Sequence, residues 1–273
     1  MIAMKRLKVS CLQPRIQETT QDCYKTVEGL VFQAKREEAD IAILPERWLP
    51  FTISSEISKF VFEPSGEPVQ FLQECAAKYG IDIIGGGIWE YVDNVPKIVC
   101  YVINSAGQIL GRQEKIHLYA YEKAFFSPGN SVSIFHYGNF SFAVLICFDM
   151  TFYETPSLAV QEGADILFSP TLIRKEGLFN WKIYLRARAL ENRVPVVACN
   201  SLGEFSGSQY LGYSQIIQFQ PGHTTPSKLQ IQTIPRGLET ILTGDINYKF
   251  PRRLRRERLA ERIDSGNLKI NYV

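Results

Sequence analysis

Apolar runs rich in β-branched and aromatic residues recur at Leu7–Leu12, Ile41–Leu44, Ile81–Trp89, Ile98–Ile103, Gln108–Arg112, Val132–His136, Phe140–Ile146, Ile166–Ser169, Val194–Cys199, Ser214–Phe219 and Thr240–Ile246. Short runs of this kind read as buried strands. Between several of them the spacing becomes helical. After Thr20, the residues Val27, Leu30, Val31 and Ala34 share one face, and over Val69–Tyr79 so do Val69, Leu72 and Ala76, until Gly80 ends the pattern. Two more helices are predicted over Thr155–Glu162, with Pro156 in the first turn and Gly163 past the end, and over Trp181–Arg193. Helices alternating with strands predict an α/β fold. The stretch from Ile98 to Arg112, turning at Asn104-Ser105-Ala106-Gly107, adds antiparallel pairing and so a mixed sheet.

No repeat, low-complexity tract or linker interrupts the chain, so one domain is expected over 1–273, with 251–273 as a basic C-terminal arm carrying Arg252, Arg253, Arg255, Arg256, Arg258 and Arg262. That arm reads as a solvated helical face or packing arm rather than a nucleic-acid contact. The 273 residues, 45% of them apolar, can bury a sizeable core. A net charge of +2 creates no broad field, which argues against nucleic acid and acidic polymers as partners and for a small neutral or weakly charged ligand. The six cysteines form no C-x-x-C pair, and no histidine cluster accompanies them, so reduced thiols and no metal site are expected. No apolar stretch after Lys5 and Arg6 is long enough for a signal peptide and none approaches a membrane span, so a cytoplasmic location without a membrane partner is expected.

Three segments carry candidate chemistry. Cys147 ends the run Phe142-Ala143-Val144-Leu145-Ile146-Cys147-Phe148-Asp149, shortly before the helix predicted near Thr155 and Pro156. A thiol at a sheet edge beside a helix N-terminus is placed to be a thiolate. Glu46 lies in Leu44-Pro45-Glu46-Arg47-Trp48, at the C-terminal end of the strand Asp40–Leu44, where sites of open α/β sheets sit. Lys115 lies in Glu114-Lys115-Ile116-His117-Leu118. Singly, each is better explained as packing or surface. Together they supply the nucleophile, base and positive group needed to cleave an amide through a covalent intermediate.

Other motifs carry less. Gly85-Gly86-Gly87 sits inside an apolar strand pattern and opens no helix, which favours close backbone packing over a phosphate cradle. His117, on an alternating stretch with Lys115, reads as a structural imidazole, and Arg186, Arg188 and Glu191 as a charge network under the site. A thiol redox role lacks a resolving cysteine near Cys147.

The three segments resemble the Glu-Lys-Cys signature of the nitrilase superfamily, the carbon–nitrogen hydrolases, in the same chain order. Glu122-Lys123-Ala124-Phe125-Phe126-Ser127-Pro128-Gly129 is similar to that family's second-glutamate segment, and Arg186-Ala187-Arg188-Ala189-Leu190-Glu191-Asn192 to its helix before a strand ending in Asn200. Gly212-Tyr213-Ser214 and Thr243-Gly244-Asp245-Ile246 resemble its later strands, so the likeness runs from Lys8 to about Arg256.

The resemblance implies a four-layer α-β-β-α sandwich with mixed sheets, pairing of subunits into a homodimer or higher oligomer through helices near the nucleophile, and hydrolysis or condensation at a non-peptide carbon–nitrogen bond without cofactor. It implies that Cys147 is the nucleophile, Glu46 the general base and acid, and Lys115 the oxyanion stabiliser, with Glu122 positioning substrate and Lys115, and the Phe148 N–H facing the oxyanion. Two departures shape the substrate expected. Thr151 stands where some members carry an arginine for an anionic group, which disfavours a dicarboxylate ω-amide, and Phe148-Asp149 replaces the Trp-Glu of true nitrilases. A small linear amide or N-carbamoyl compound is expected, ahead of a nitrile or a non-catalytic binding role. Trp48, Tyr119, Phe126, Phe152 and Trp181 are candidate pocket walls.

Overall fold

The computed structural model describes residues 7–271 apart from 53, 55, 206, 262 and 264–268. Its first sheet combines β1 (Leu7–Gln13), β2 (Ile41–Ile43), β3 (Asp82–Ile84), β4 (Ile88–Val92), β5 (Val95–Ile103), β6 (Ile109–Glu114) and β15 (Thr240–Ile246) in the order β15-β1-β2-β3-β5-β4, with β6 also on β5. The second sheet contains β7 (Ile134–Tyr137), β8 (Phe140–Val144), β9 (Ile166–Thr171), β10 (Val196–Asn200), β13 (Gln215–Thr224) and β14 (Ser227–Thr233), in the order β14-β13-β10-β9-β8-β7. A small hairpin pairs β11 (Leu202–Phe205) with β12 (Ser208–Leu211). β1, β2 and β3 are parallel neighbours, as are β8, β9 and β10, whereas the flanking strands pair antiparallel.

Strand periodicity assigns each apolar residue to a layer. Ile41 and Ile43 face the second sheet and pack with Val144, Phe168 and Val197. Ala42 and Leu44, one residue out of step, face the outer helices α1 (Thr20–Arg36) and α2 (Glu67–Tyr79) through Val27, Leu30, Val31, Leu72 and Ala76. On the other side, α3 (Glu154–Gln161) and α4 (Leu178–Asn192) lay Ala159, Trp181, Leu185 and Ala189 on Ala143, Leu167 and Val196. The result is the expected four layers, α-β-β-α. Each fully buried Leu, Ile or Phe in them contributes about 1.5–3 kcal/mol.

Helix ends follow the local chemistry. The Thr19 hydroxyl accepts the Asp22 N–H at 3.1 Å to start α1, and Gly80, at φ 59°, closes α2 in the left-handed region that glycine tolerates.

Two strand boundaries differ from expectation, and the arm takes the packed form of its two expected forms. The run Ile81–Trp89 is two strands, because Gly85-Gly86-Gly87 breaks it where the backbone meets the β2 loop. Phe140–Ile146 is cut at Val144, although the Leu145 N–H still pairs with Phe168 O at 2.9 Å. The arm after Pro251 begins inside α5 (Lys249–Leu259), which buries Phe250 and Leu254 against Phe219 while Arg252 and Arg255 pair with Asp165. Within the described residues it therefore packs on the second sheet. Arg262 lies outside them.

Candidate active site

The site forms where β2, β6, β8 and β9 end. Glu46 follows β2 and is clamped from both sheets: its N–H donates to Thr171 O at 3.2 Å, and its carbonyl accepts the Gly87 N–H at 3.0 Å. That approach explains the glycines. A Cβ on Gly87 would stand 2.6 Å from Glu46 O, and one on Gly86 only 2.2 Å from Pro45 O. Arg47 is buried beside Glu46, its guanidinium 3.8 Å from the Trp89 ring centre and 4.8 Å from that of Phe51.

Lys115 follows β6, held by its own N–H to Ile98 O at 2.8 Å and its carbonyl to the Gly129 N–H at 2.7 Å. Its ammonium meets Glu46 Oε1 at 2.5 Å and the two Glu122 oxygens at 2.8 and 2.7 Å. Glu122 comes from the 3-10 turn Ala120–Ala124, and one of its oxygens also accepts the Tyr119 N–H at 2.7 Å. All three side chains are buried. Burial alone would lower the Lys115 pKa, but the Glu46 and Glu122 carboxylates outweigh it and hold the ammonium well above its ordinary value. Burial raises Glu122, against the pull of Lys115.

Cys147 opens a 3-10 turn, Cys147–Thr151, at φ 46°. That left-handed conformation is uncommon for a residue with a Cβ, and here it lifts the sulfur out of the strand direction. The thiol lies beside Glu46 and Lys115 and 4.0 Å from Leu172 O. The surroundings of the sulfur oppose the thiolate expected at a helix N-terminus. Burial pushes the Cys147 thiol well above its ordinary range, and the Glu46 carboxylate pushes it further, against Lys115. The reason is geometric: α3 begins only at Glu154, and the Lys115 ammonium that opposes the Glu46 carboxylate at the desolvated sulfur is shared with Glu122.

Asp149 joins these segments and was not singled out by its sequence context. Fully buried, it accepts the N–H groups of Ile116 at 3.2 Å, His117 at 2.7 Å and Ile146 at 3.0 Å, and contacts His117 Nδ1 at 3.0 Å. The His117 ring, stacked on Phe152 at 4.3 Å, is thus engaged structurally. Arg188 binds the far end of the nucleophile turn, donating to Met150 O at 2.9 Å and Thr151 O at 2.7 Å and pairing with Glu191 at 2.7 Å. Arg186, expected in the same network, is exposed on α4.

Glu46, Lys115, Glu122, Cys147 and Phe148 all line one cavity of about 540 Å³. Of the candidate walls, Tyr119 and Trp181 line it. Trp48 instead donates to Gly85 O at 2.9 Å inside the fold, Phe126 packs on Trp89, and Phe152 stacks on His117. Tyr121, Arg174, Tyr184 and Tyr210 complete the wall without a motif to announce them. Among the described residues no group of His, Cys, Asp and Glu side chains is disposed to hold a metal, and no helix is long and apolar enough to cross a membrane.

This architecture has known counterparts. Residues 8–224 match the carbon-nitrogen hydrolase family model. The chain is 28% identical over 212 residues to 2-oxoglutaramate amidase of Bacillus subtilis (77% of this chain, 82% of that one). It is 32% identical over 219 residues to a nitrilase of Pyrococcus abyssi (77% and 80%). The crystal structure of Saccharomyces cerevisiae Nit3, of branch 10 of the nitrilase superfamily, superposes with a TM-score of 0.82 at 22% identity, covering 96% of this chain and 97% of that one. With its matched segments in order on the same four-layer fold, the chain belongs to the carbon–nitrogen hydrolase family, on the amidase-like side of the nitrilase superfamily.

Proposed function

We propose that the protein hydrolyses the carbon–nitrogen bond of a small linear amide or N-carbamoyl compound through a thioester on Cys147. The observation that carries this reading is the buried Lys115 ammonium, held at 2.5–2.8 Å by both Glu46 and Glu122 in the cavity that Cys147 lines. The amidase among the relatives supports it.

In this mechanism Glu46 takes the thiol proton as sulfur attacks the carbonyl carbon. A raised thiol pKa suits that role, because the proton leaves only when a substrate is there to receive the sulfur's electrons. The oxyanion is stabilised by the Lys115 ammonium and the Phe148 N–H. Glu46 returns the proton to the departing nitrogen, ammonia or an amine leaves, and the thioester forms. Water, deprotonated by Glu46, then attacks the thioester, and the thiol is regenerated as the acid departs. Glu122 keeps the ammonium aimed and orients the substrate nitrogen.

Nitrile hydrolysis is the second reading, favoured by the Pyrococcus relative. A panel of amides, carbamoyl compounds and nitriles, read by ammonia release and by intact mass of trapped adducts, tests both. Turnover lost in Cys147→Ala and reduced by orders of magnitude in Glu46→Gln is the expected result. Equal turnover in wild type and Cys147→Ala would refute the thioester.

Self-association belongs to the same proposal. Next to the cavity, α3 and α4 expose Leu158, Phe179 (73% exposed), Ile183 and Leu190, an apolar face suited to a second copy of the chain.

A further inference from the structure

We propose that Arg47 is a positioning residue of the active site, whose buried charge offsets the second carboxylate of the Glu46–Lys115–Glu122 cluster and so keeps Glu46 available as the base. This rests on the amidase reading. Lys115 is one ammonium shared by two buried carboxylates, so with both ionised one of the three charges is unmatched. Arg47, next in the chain to Glu46 and only 3% exposed, is the neighbouring cation. Its guanidinium lies over the Trp89 and Phe51 rings, and its Nη1 donates to Gly87 O at 3.4 Å, on the same residue whose N–H donates to Glu46 O at 3.0 Å. The Ser201 hydroxyl, just past β10, donates to the Arg47 carbonyl and fixes the segment from the second sheet.

Packing does not account for a charge at this position. An apolar side chain would fill the space between two aromatic rings without losing hydration, whereas a buried guanidinium is costly unless it is compensated. The rings offset part of that cost. Hydrogen bonding does not supply the rest, because among the described residues the buried Nε has no acceptor. The carboxylates do. Burial lowers the Arg47 pKa to about 10, opposed first by Glu46 and then by Tyr121, Glu122 and Cys23. Arg47 therefore keeps its charge at neutral pH, and the attraction that keeps it acts in return on the two carboxylates. Around these four charges stand Cys147, Tyr210 with Arg174, and Asp149 with His117. When the Cys147 proton moves to Glu46, Glu122 is left against two cations, so the cluster turns net positive as the oxyanion develops. Without Arg47 it would reach only neutrality.

The test compares Arg47→Met, which keeps length and apolar contact, with Arg47→Lys, which keeps the charge. On an amide of the panel that the wild type turns over, Arg47→Met is expected to lose about 10-fold or more in kcat with a smaller change in KM. The acidic limb of its kcat/KM profile should move up by about one pH unit, because losing a positive neighbour makes a carboxylate harder to ionise. Arg47→Lys should leave that limb in place, which a purely structural role would not distinguish. Denaturant titration reads the same charge without substrate: Arg47→Met should cost about tenfold less in the unfolding equilibrium constant when Glu46→Gln is already present. An acidic limb within about 0.3 pH unit of wild type in Arg47→Met, or additive losses in the cycle, overturns the assignment and leaves the amidase reading standing. Absence of ammonia release from every amide overturns both.

Discussion

Asp149 and His117 are joined twice, through the His117 N–H at 2.7 Å and its ring Nδ1 at 3.0 Å, and this pair fastens the turn carrying Cys147 to the segment carrying Lys115. An asparagine keeps the shape but replaces one acceptor oxygen by a donor facing N–H groups. Asp149→Asn is therefore expected to cost about 1–3 kcal/mol of stability by denaturant titration, with kcat falling more than KM rises. Wild-type turnover in a stable variant would show that the link does not position the site.

Lys115 pairs with two buried carboxylates. Lys115→Met leaves them facing each other, with an expected loss of about 3–5 kcal/mol. Adding Glu122→Gln should return part of that stability without restoring turnover. If the double variant is no more stable than the single one, the charge argument fails.

Alkylation of Cys147 by iodoacetamide should keep accelerating above the pH at which ordinary thiols level off, since burial and Glu46 both raise its pKa. The sign for Glu46→Gln follows: removing a negative neighbour lowers the thiol pKa, so the rate profile moves to lower pH while turnover collapses. A profile that stays in place would mean that Glu46 does not act on the sulfur.

Gly87 admits no side chain, its Cβ position lying 2.6 Å from Glu46 O. Gly87→Ala should destabilise by about 1–3 kcal/mol and reduce kcat by shifting Glu46. Unaltered kinetics would place the strain elsewhere.

Phe179→Asp with Ile183→Asp places charge on the exposed α4 face. Sedimentation velocity is expected to show a smaller species than wild type. An unchanged sedimentation coefficient would rule out pairing through this face.

Residue order alone predicted helices alternating with strands in a mixed sheet, because alternation along a strand and spacing on a helix face are local, whereas the four layers were expected only from the likeness to a family, and the structure divides Ile41 and Ile43 from Ala42 and Leu44 between the inner core and the outer one. Residue order also offered Glu46, Lys115 and Cys147 as candidates, with Glu122 added by the likeness of its contiguous motif to the family's, and the structure places the four on one cavity. Only the tertiary structure brought Lys115 to Glu46 across 69 residues of chain and revealed Asp149 as the tie between the Lys115 segment and the Cys147 turn. It also decided that burial and the Glu46 carboxylate raise the pKa of the sulfur and that Arg174 lines the cavity. Desolvation and the sum of neighbouring charges arise from residues distant in sequence, and no window along the chain contains them.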